Sequence, residues 1–158
     1  MDRVAIFVDV QNVFYTVRQV HGCNFDYTEF WNQVTADRHV VKAFAYAIDR
    51  QDPKQMRFQQ ILESIGFEVK LKPYIQRSDG SAKGDWDVGI TLDMIEWANE
   101  IDVAVLASGD GDFDLFFTFP WPGEHEFFET IFDRFAADGA MLLTYQGIER
   151  LRLQRRVV

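Results

Sequence analysis

The chain has 158 residues, 47% of them hydrophobic and 26% charged, which fits one globular domain and excludes a disordered or fibrous chain. A single cysteine, Cys23, excludes an internal disulfide and any Cys-rich zinc module. The formal net charge is −9; four Arg against one Glu between Glu149 and Val158 make that tail +3 and leave −12 on the rest. An acidic body repels RNA at long range unless basic patches or metal ions reverse the field. The basic tail reads either as a grip on a phosphate backbone or as a solvated final element. No apolar run is long enough to span a bilayer, and the five apolar residues after Arg3 are too few for a signal peptide. The expectation is a cytoplasmic protein with no membrane partner.

In chain order, Val4-Ala5-Ile6-Phe7-Val8 is a continuous apolar run ending at Asp9, the form of a strand buried on both faces. Val10 to Val20 reads as a helix, with Val13, Phe14, Val17 and Val20 at helical spacing. Thr28 to Val34 suggests a short second helix, and Val40 to Tyr46 a second strand. Asp52-Pro53, an N-cap followed by Pro at the first helical position, opens a helix that runs to Ile65 before Gly66. Phe67 to Leu71 makes a third strand, stopped by Pro73. Ile75 to Gly84, with Ser78-Asp79-Gly80-Ser81 inside it, reads as an exposed loop. Asp85 to Asn99 is the clearest helix, with Val88, Leu92 and Ile95 stacked on one face. Val103 to Ala107 repeats the form of the first strand and leads into Ser108-Gly109-Asp110. Residues 115–124 are irregular, Glu124 to Ala137 reads as helical, and Ala140 to Tyr145 as a fifth strand. Strands alternating with helices imply right-handed crossovers, so the expected fold is a single α/β domain over residues 1–158: three layers, α/β/α, around a mainly parallel five-stranded sheet.

In such sheets ligands bind beyond the carboxyl ends of the strands, where strand order reverses. Asp9 ends the first strand and Asp110 follows the fourth, so the two carboxylates converge if those strands are neighbours. Asp112 shares the second loop, Asn12 lies in the first helical turn after Asp9, and Asp87 in the first turn of the Asp85–Asn99 helix. Carboxylates gathered in one crevice repel, and burial raises their pKa; a hard divalent cation with oxygen ligands, Mg²⁺ or Mn²⁺, relieves both effects. Each residue also has a plainer reading. Asp9 caps the helix that follows, Asp85 or Asp87 favours a helix N-terminus, and Ser108 to Asp112 forms a tight solvated turn.

Other constellations fail on spacing. Asp110, Asp112 and Asp114 begin like a calcium loop, but Leu115 stands where Gly is needed and Trp121 where Glu is needed. Asp9-Val10-Gln11 lacks the second Asp of a haloacid-dehalogenase-type phosphatase. Neither G-x-G-x-x-G nor a P-loop is present, and His21, His39 and His125 are too scattered for zinc. Cys23 reads as a small buried residue. Most of the fifteen Phe and four Trp serve the core, with base stacking by Trp86 or Trp121 as the alternative.

Three strings together, Val8-Asp9-x-x-Asn12, Lys83-Gly84-Asp85-Trp86-Asp87-Val88 with Asp93, and Ser108-Gly109-Asp110-Gly111-Asp112-Phe113, resemble the NYN group of PIN-like domains, in the order that group has them. The LabA-like bacterial members are the nearest likeness, over roughly residues 3–115. The resemblance implies a PIN-like, Rossmann-like fold and a metal-dependent endoribonuclease. It implies Asp9, Asp110 and Asp112 as metal-binding catalytic residues, completed by Asp87, with Mg²⁺ or Mn²⁺ as cofactor. Asn12 would orient water or the scissile phosphate, and Lys83 would meet a phosphate. Ser108 would stabilise its loop at the substrate, and Arg77 with the Arg-rich tail would carry the backbone of RNA, single-stranded by expectation. Asp93 stands about 240° round the helix from Asp87 and is expected, like Asp85, to support the site from behind. An activated water would attack phosphorus in line, with no covalent enzyme intermediate. Residues 115–124 and the short basic end past Tyr145 depart from the group's pattern, and the latter is compatible with exchange into a homodimer. Two rivals use the same acidic pocket: a catalytically inactive RNA-binding or regulatory module, and a phosphohydrolase of small nucleotides.

Overall fold

The computed structural model describes residues 1–76, 78–79, 82–83, 85–108, 110, 113 and 126–130. Strand β1 (Asp2–Asp9) is followed by helices α1 (Val10–His21) and α2 (Tyr27–Thr35), strand β2 (Arg38–Asp49), helix α3 (Pro53–Ile65) and strand β3 (Glu68–Pro73). The short strands β4 (Ile75–Gln76) and β5 (Ala82–Lys83) precede helix α4 (Asp87–Trp97), a 3₁₀ turn at Ala98–Glu100, strand β6 (Val103–Ala107) and strand β7 (Glu126–Thr130). The main sheet has the order β3-β2-β1-β6-β7, and every pairing in it is parallel. The chain therefore builds outward from β1 to β3, returns, and continues on the other side with β6. The point where strand order reverses lies between β1 and β6, where Val8 is paired with Ala107.

Alternation along the buried strands divides the core into two layers. Val4, Ile6 and Val8 of β1 with Val103, Val105 and Ala107 of β6 join Val13, Val17, Phe30 and Leu62 of α1, α2 and α3 on one face. Ala5, Phe7, Phe44, Tyr46 and Leu106 meet Ile90 and Met94 of α4 on the other. A period of two on a strand forces this division, because successive side chains leave opposite faces. The result is the expected three-layer α/β/α, Rossmann-like fold, consistent with a PIN-like domain.

The helix ends follow local chemistry. The carboxylate oxygens of Asp9, Asp26 and Asp52 accept backbone N–H bonds from Asn12, Glu29 and Lys54 at 3.3, 2.9 and 3.0 Å, capping α1, α2 and α3. Gly66 ends α3 at φ 132°, and a Cβ there would stand 2.6 Å from the Trp31 ring, so only glycine fits.

Several expectations are corrected. The segment read as an exposed loop, Ile75 to Gly84, contains an antiparallel pair in which Ile75 faces Lys83. Glu126–Thr130, read as helix, is a strand: Phe127, Phe128 and Thr130 are good strand formers, and the open edge of β6 supplies hydrogen-bond partners that a short helix lacks. On α4 the buried stripe is Ile90 and Met94, while Val88, Leu92 and Ile95 are exposed. Both stripes are apolar at helical spacing, and packing against Phe7 and Phe44 chose between them. Of the apolar residues at helical spacing on α1, Val13 and Val17 are buried while Phe14 is 45% exposed. The expected strand Ala140–Tyr145, the irregular residues 115–124 and the basic tail 149–158 lie outside the described residues.

Candidate metal and phosphodiester site

The first residue of the site is Asp9. A strand buried on both faces delivers it to the reversal point, and its side chain remains buried, 6% exposed, although it is a carboxylate. Burial pushes the carboxyl up to about 6, against the pull of the Asn12 N–H; the charges of Asp87, Asp110 and Asp85, in that order, push it further. Residues from β1, the start of α4 and the loop after β6 thus act on one buried oxygen pair. Asp9 also caps α1, as the plainer reading of this carboxylate expects.

Asp110 is placed by its neighbour. Ser108 is fully buried at the end of β6, and its hydroxyl accepts the Asp110 N–H at 3.2 Å, turning the chain out of the sheet. Ser108 therefore holds the loop, and its burial gives it no open face for substrate. Asn12 donates its backbone N–H to Asp9, and its side-chain oxygen lies 3.5 Å from the Thr16 hydroxyl.

Asp87 is set by a tryptophan. The Trp86 indole N–H donates to the Ala47 carbonyl at 2.8 Å, and its ring lies 5.2 Å from Tyr46 with the Lys72 ammonium 4.3 Å from its centre. Lys72 also donates to the Asp85 carbonyl at 3.0 Å. Gly89 is the seat of that ring, because a Cβ there would approach it to 2.7 Å. Asp87 and Asp85 thus project from a segment clamped to the ends of β2 and β3. Trp86 serves as this clamp. The string Trp86-x-x-Gly89 was the sequence signal for it.

Asp93 stands apart from the converging set. Its Oδ2 accepts from the Tyr46 hydroxyl at 2.8 Å and from the Lys70 ammonium at 2.7 Å. Lys83 is the β5 residue opposite Ile75. Arg77 and Asp112 lie outside the described residues.

Oxygen donors gathered against electrostatic cost match the chemistry of a hard divalent cation. Among the described residues no three carboxylate or imidazole groups stand close enough to form a ready ligand cluster. Sequence reading missed Tyr27, buried in α2, whose phenol is pushed up first by burial and then by the charge of Asp9.

The NYN domain pattern matches residues 3–118 of the chain. Over 121 residues the chain is 34% identical to the Low amplitude and bright protein LabA of Synechococcus elongatus, a match covering 71% of this chain and 64% of that protein. The chain therefore spans about 64% of the length of that curated relative. The crystal structure of a protein of unknown function from Vibrio parahaemolyticus superposes with a TM-score of 0.69 at 60% identity, over 73% of this chain and 72% of that one.

Proposed function

This chain belongs to the NYN domain family and is LabA-like, and from that premise we propose that it is a divalent-metal-dependent endoribonuclease hydrolysing phosphodiesters of single-stranded RNA. The observation that carries the reading is the Asp9 carboxyl at the strand-order reversal, raised first by burial and then by the charges of Asp87, Asp110 and Asp85. Asp9, Asp87, Asp110 and Asp112 would hold Mg²⁺ or Mn²⁺. Such a cation supplies neutralising charge for the phosphodiester and acidifies water. The chain's own residues do the positioning. Asp9 is fixed by its bond to the Asn12 N–H, Asp110 by Ser108, and Asp87 by the Trp86 clamp. Asn12 would orient water or the phosphate beside Asp9, and Lys83 and Arg77 would meet the RNA backbone.

Metal-dependent cleavage of a labelled mixed-sequence RNA, with wild type and Asp110→Asn purified side by side, tests this. Cleavage by the wild type alone, lost in EDTA, is the expected result. Equal cleavage by both proteins would overturn the assignment and point to a contaminant.

A second reading, an RNA-binding or regulatory module with the acidic pocket kept for metal, is motivated by the charge of −12 on residues 1–148. Its signature is wild type that binds RNA and Mn²⁺ without cleaving. No described helix is long and apolar enough to cross a membrane.

A further inference from the structure

Val10 and Gln11, directly after Asp9, form one end of a cavity of about 520 Å³ that passes between α1 and the start of α3. Its volume falls within the range of small-ligand sites, roughly 300–1,000 Å³. The wall is aromatic: Tyr27 meets Phe25 edge to face at 4.7 Å and Phe58 at 5.5 Å. The rim carries Phe14 and Tyr15, 45% and 52% exposed, with rings 5.5 Å apart and set edge to face at 76°, and the Arg18 guanidinium lies 5.2 Å from the Phe14 ring centre. Two large aromatics left half in water on the helix that leaves the site bring no benefit to the core. They are suited to stack on something flat. The other lip carries two cations, Arg50 and Lys54, both exposed. The one carboxylate there, Asp52, is engaged in capping α3 through the Lys54 N–H. The cavity adjoins the acidic site through the chain itself, since Val10 and Gln11 in its wall directly follow Asp9.

Aromatic rings beside two cations suit an occupant that is flat, unsaturated and joined to an anion. We propose that the cleft between α1 and α3 seats one unpaired nucleobase of the RNA strand, stacked on Tyr15 with the Phe14 ring at its edge, and with Arg50 and Lys54 on the adjoining phosphate. The inference rests on the ribonuclease reading and deepens it, because it names what selects a single strand. A base held in a duplex cannot enter, while an unpaired one can turn into the cleft as its phosphate reaches the carboxylates. The Gln11 and Asn24 amides in the wall offer hydrogen bonds to a base edge.

The test is fluorescence anisotropy of a labelled single-stranded decaribonucleotide at low ionic strength in EDTA, so that nothing is cleaved. An oligonucleotide of the same length with abasic positions is the comparison. Wild type should bind the intact strand about tenfold more tightly than the abasic one, the effect of a single base–aromatic stack. The double variant Phe14→Ala, Tyr15→Ala should lose that preference while keeping the wild-type affinity for the abasic strand. Equal affinity of wild type for both strands, or no binding of either, overturns the proposal without any variant having to fold. A preference kept in a folded double variant overturns it as well. Cleavage of the same two strands with Mn²⁺ separates the two readings. Cleavage indifferent to the missing bases removes the cleft alone, whereas base-dependent binding without cleavage removes the nuclease and leaves the cleft.

Discussion

Asp9 illustrates how one residue carries two opposed requirements. As the cap of α1 it stabilises a helix; as a buried carboxylate among other carboxylates it costs the folded state. The group rises from its ordinary 3.8 to about 6. Between those values the folded protein holds a proton that the unfolded chain has released. Stability therefore falls as pH rises from about 4 to about 6 and stays lowered above, by roughly 3 kcal/mol at most. In metal-free protein Asp9→Asn should raise the melting temperature at pH 7, because an Asn oxygen still caps α1 and no charge is buried. The gain should shrink toward pH 4, where the wild-type carboxyl is itself neutral. Thermal melts of both proteins across that range in EDTA check this, and a variant less stable than wild type at pH 7 would contradict it.

At the scale of elements, α4 has two separate duties. Its first turn presents Asp87 to the site, while Asp93, farther along, faces the sheet and ties the helix to β2 and β3 through Tyr46 and Lys70. The buried Tyr46 hydroxyl has Asp93 as acceptor, so removing the carboxylate strands that hydroxyl. Asp93→Ala should cost about 1–3 kcal/mol, read from denaturant unfolding. The shift in melting temperature produced by Mn²⁺ should survive the substitution, since Asp93 supports the helix and not the cation. Loss of that shift in a still-folded variant would move Asp93 into the metal site. The Trp86 clamp belongs to the same scale: its bond to Ala47 and its seat on Gly89 decide where α4 begins.

For the whole molecule, the sheet order makes the acidic crevice and the aromatic cleft parts of one surface at the carboxyl ends of β1, β2 and β6. An acidic chain that handles a polyanion needs its negative charge masked at that surface, which is what a bound divalent cation does. Mn²⁺ should therefore raise the wild-type melting temperature, by the equivalent of about 2.7 kcal/mol at one hundred times its dissociation constant. Asp110→Asn should abolish most of that rise. A wild type unmoved by millimolar Mn²⁺ would count against the cation site.

Apart from the short β4–β5 pair, the amino-acid order alone determined the alternation of strands and helices as far as β6, because buried strands and capped helices are written in local patterns such as Val4–Asp9 and Asp52-Pro53. It also determined the candidate carboxylates, since Asp9, Asp87 and Asp110 lie in short strings close to where elements begin or end. Only the tertiary structure decided what distant segments do to one another. Pairing of Val8 with Ala107 brought Asp9 toward Asp110. Packing against Phe7 buried Ile90 in preference to Val88, and the open edge of β6 drew Glu126–Thr130 into a strand. The aromatic cleft was equally hidden, because Phe14, Tyr15 and Phe58 look like core residues until the fold shows which of them have core on one side and water on the other. Burial depends on which segments meet, and a helix with two apolar faces does not specify which one will find a partner.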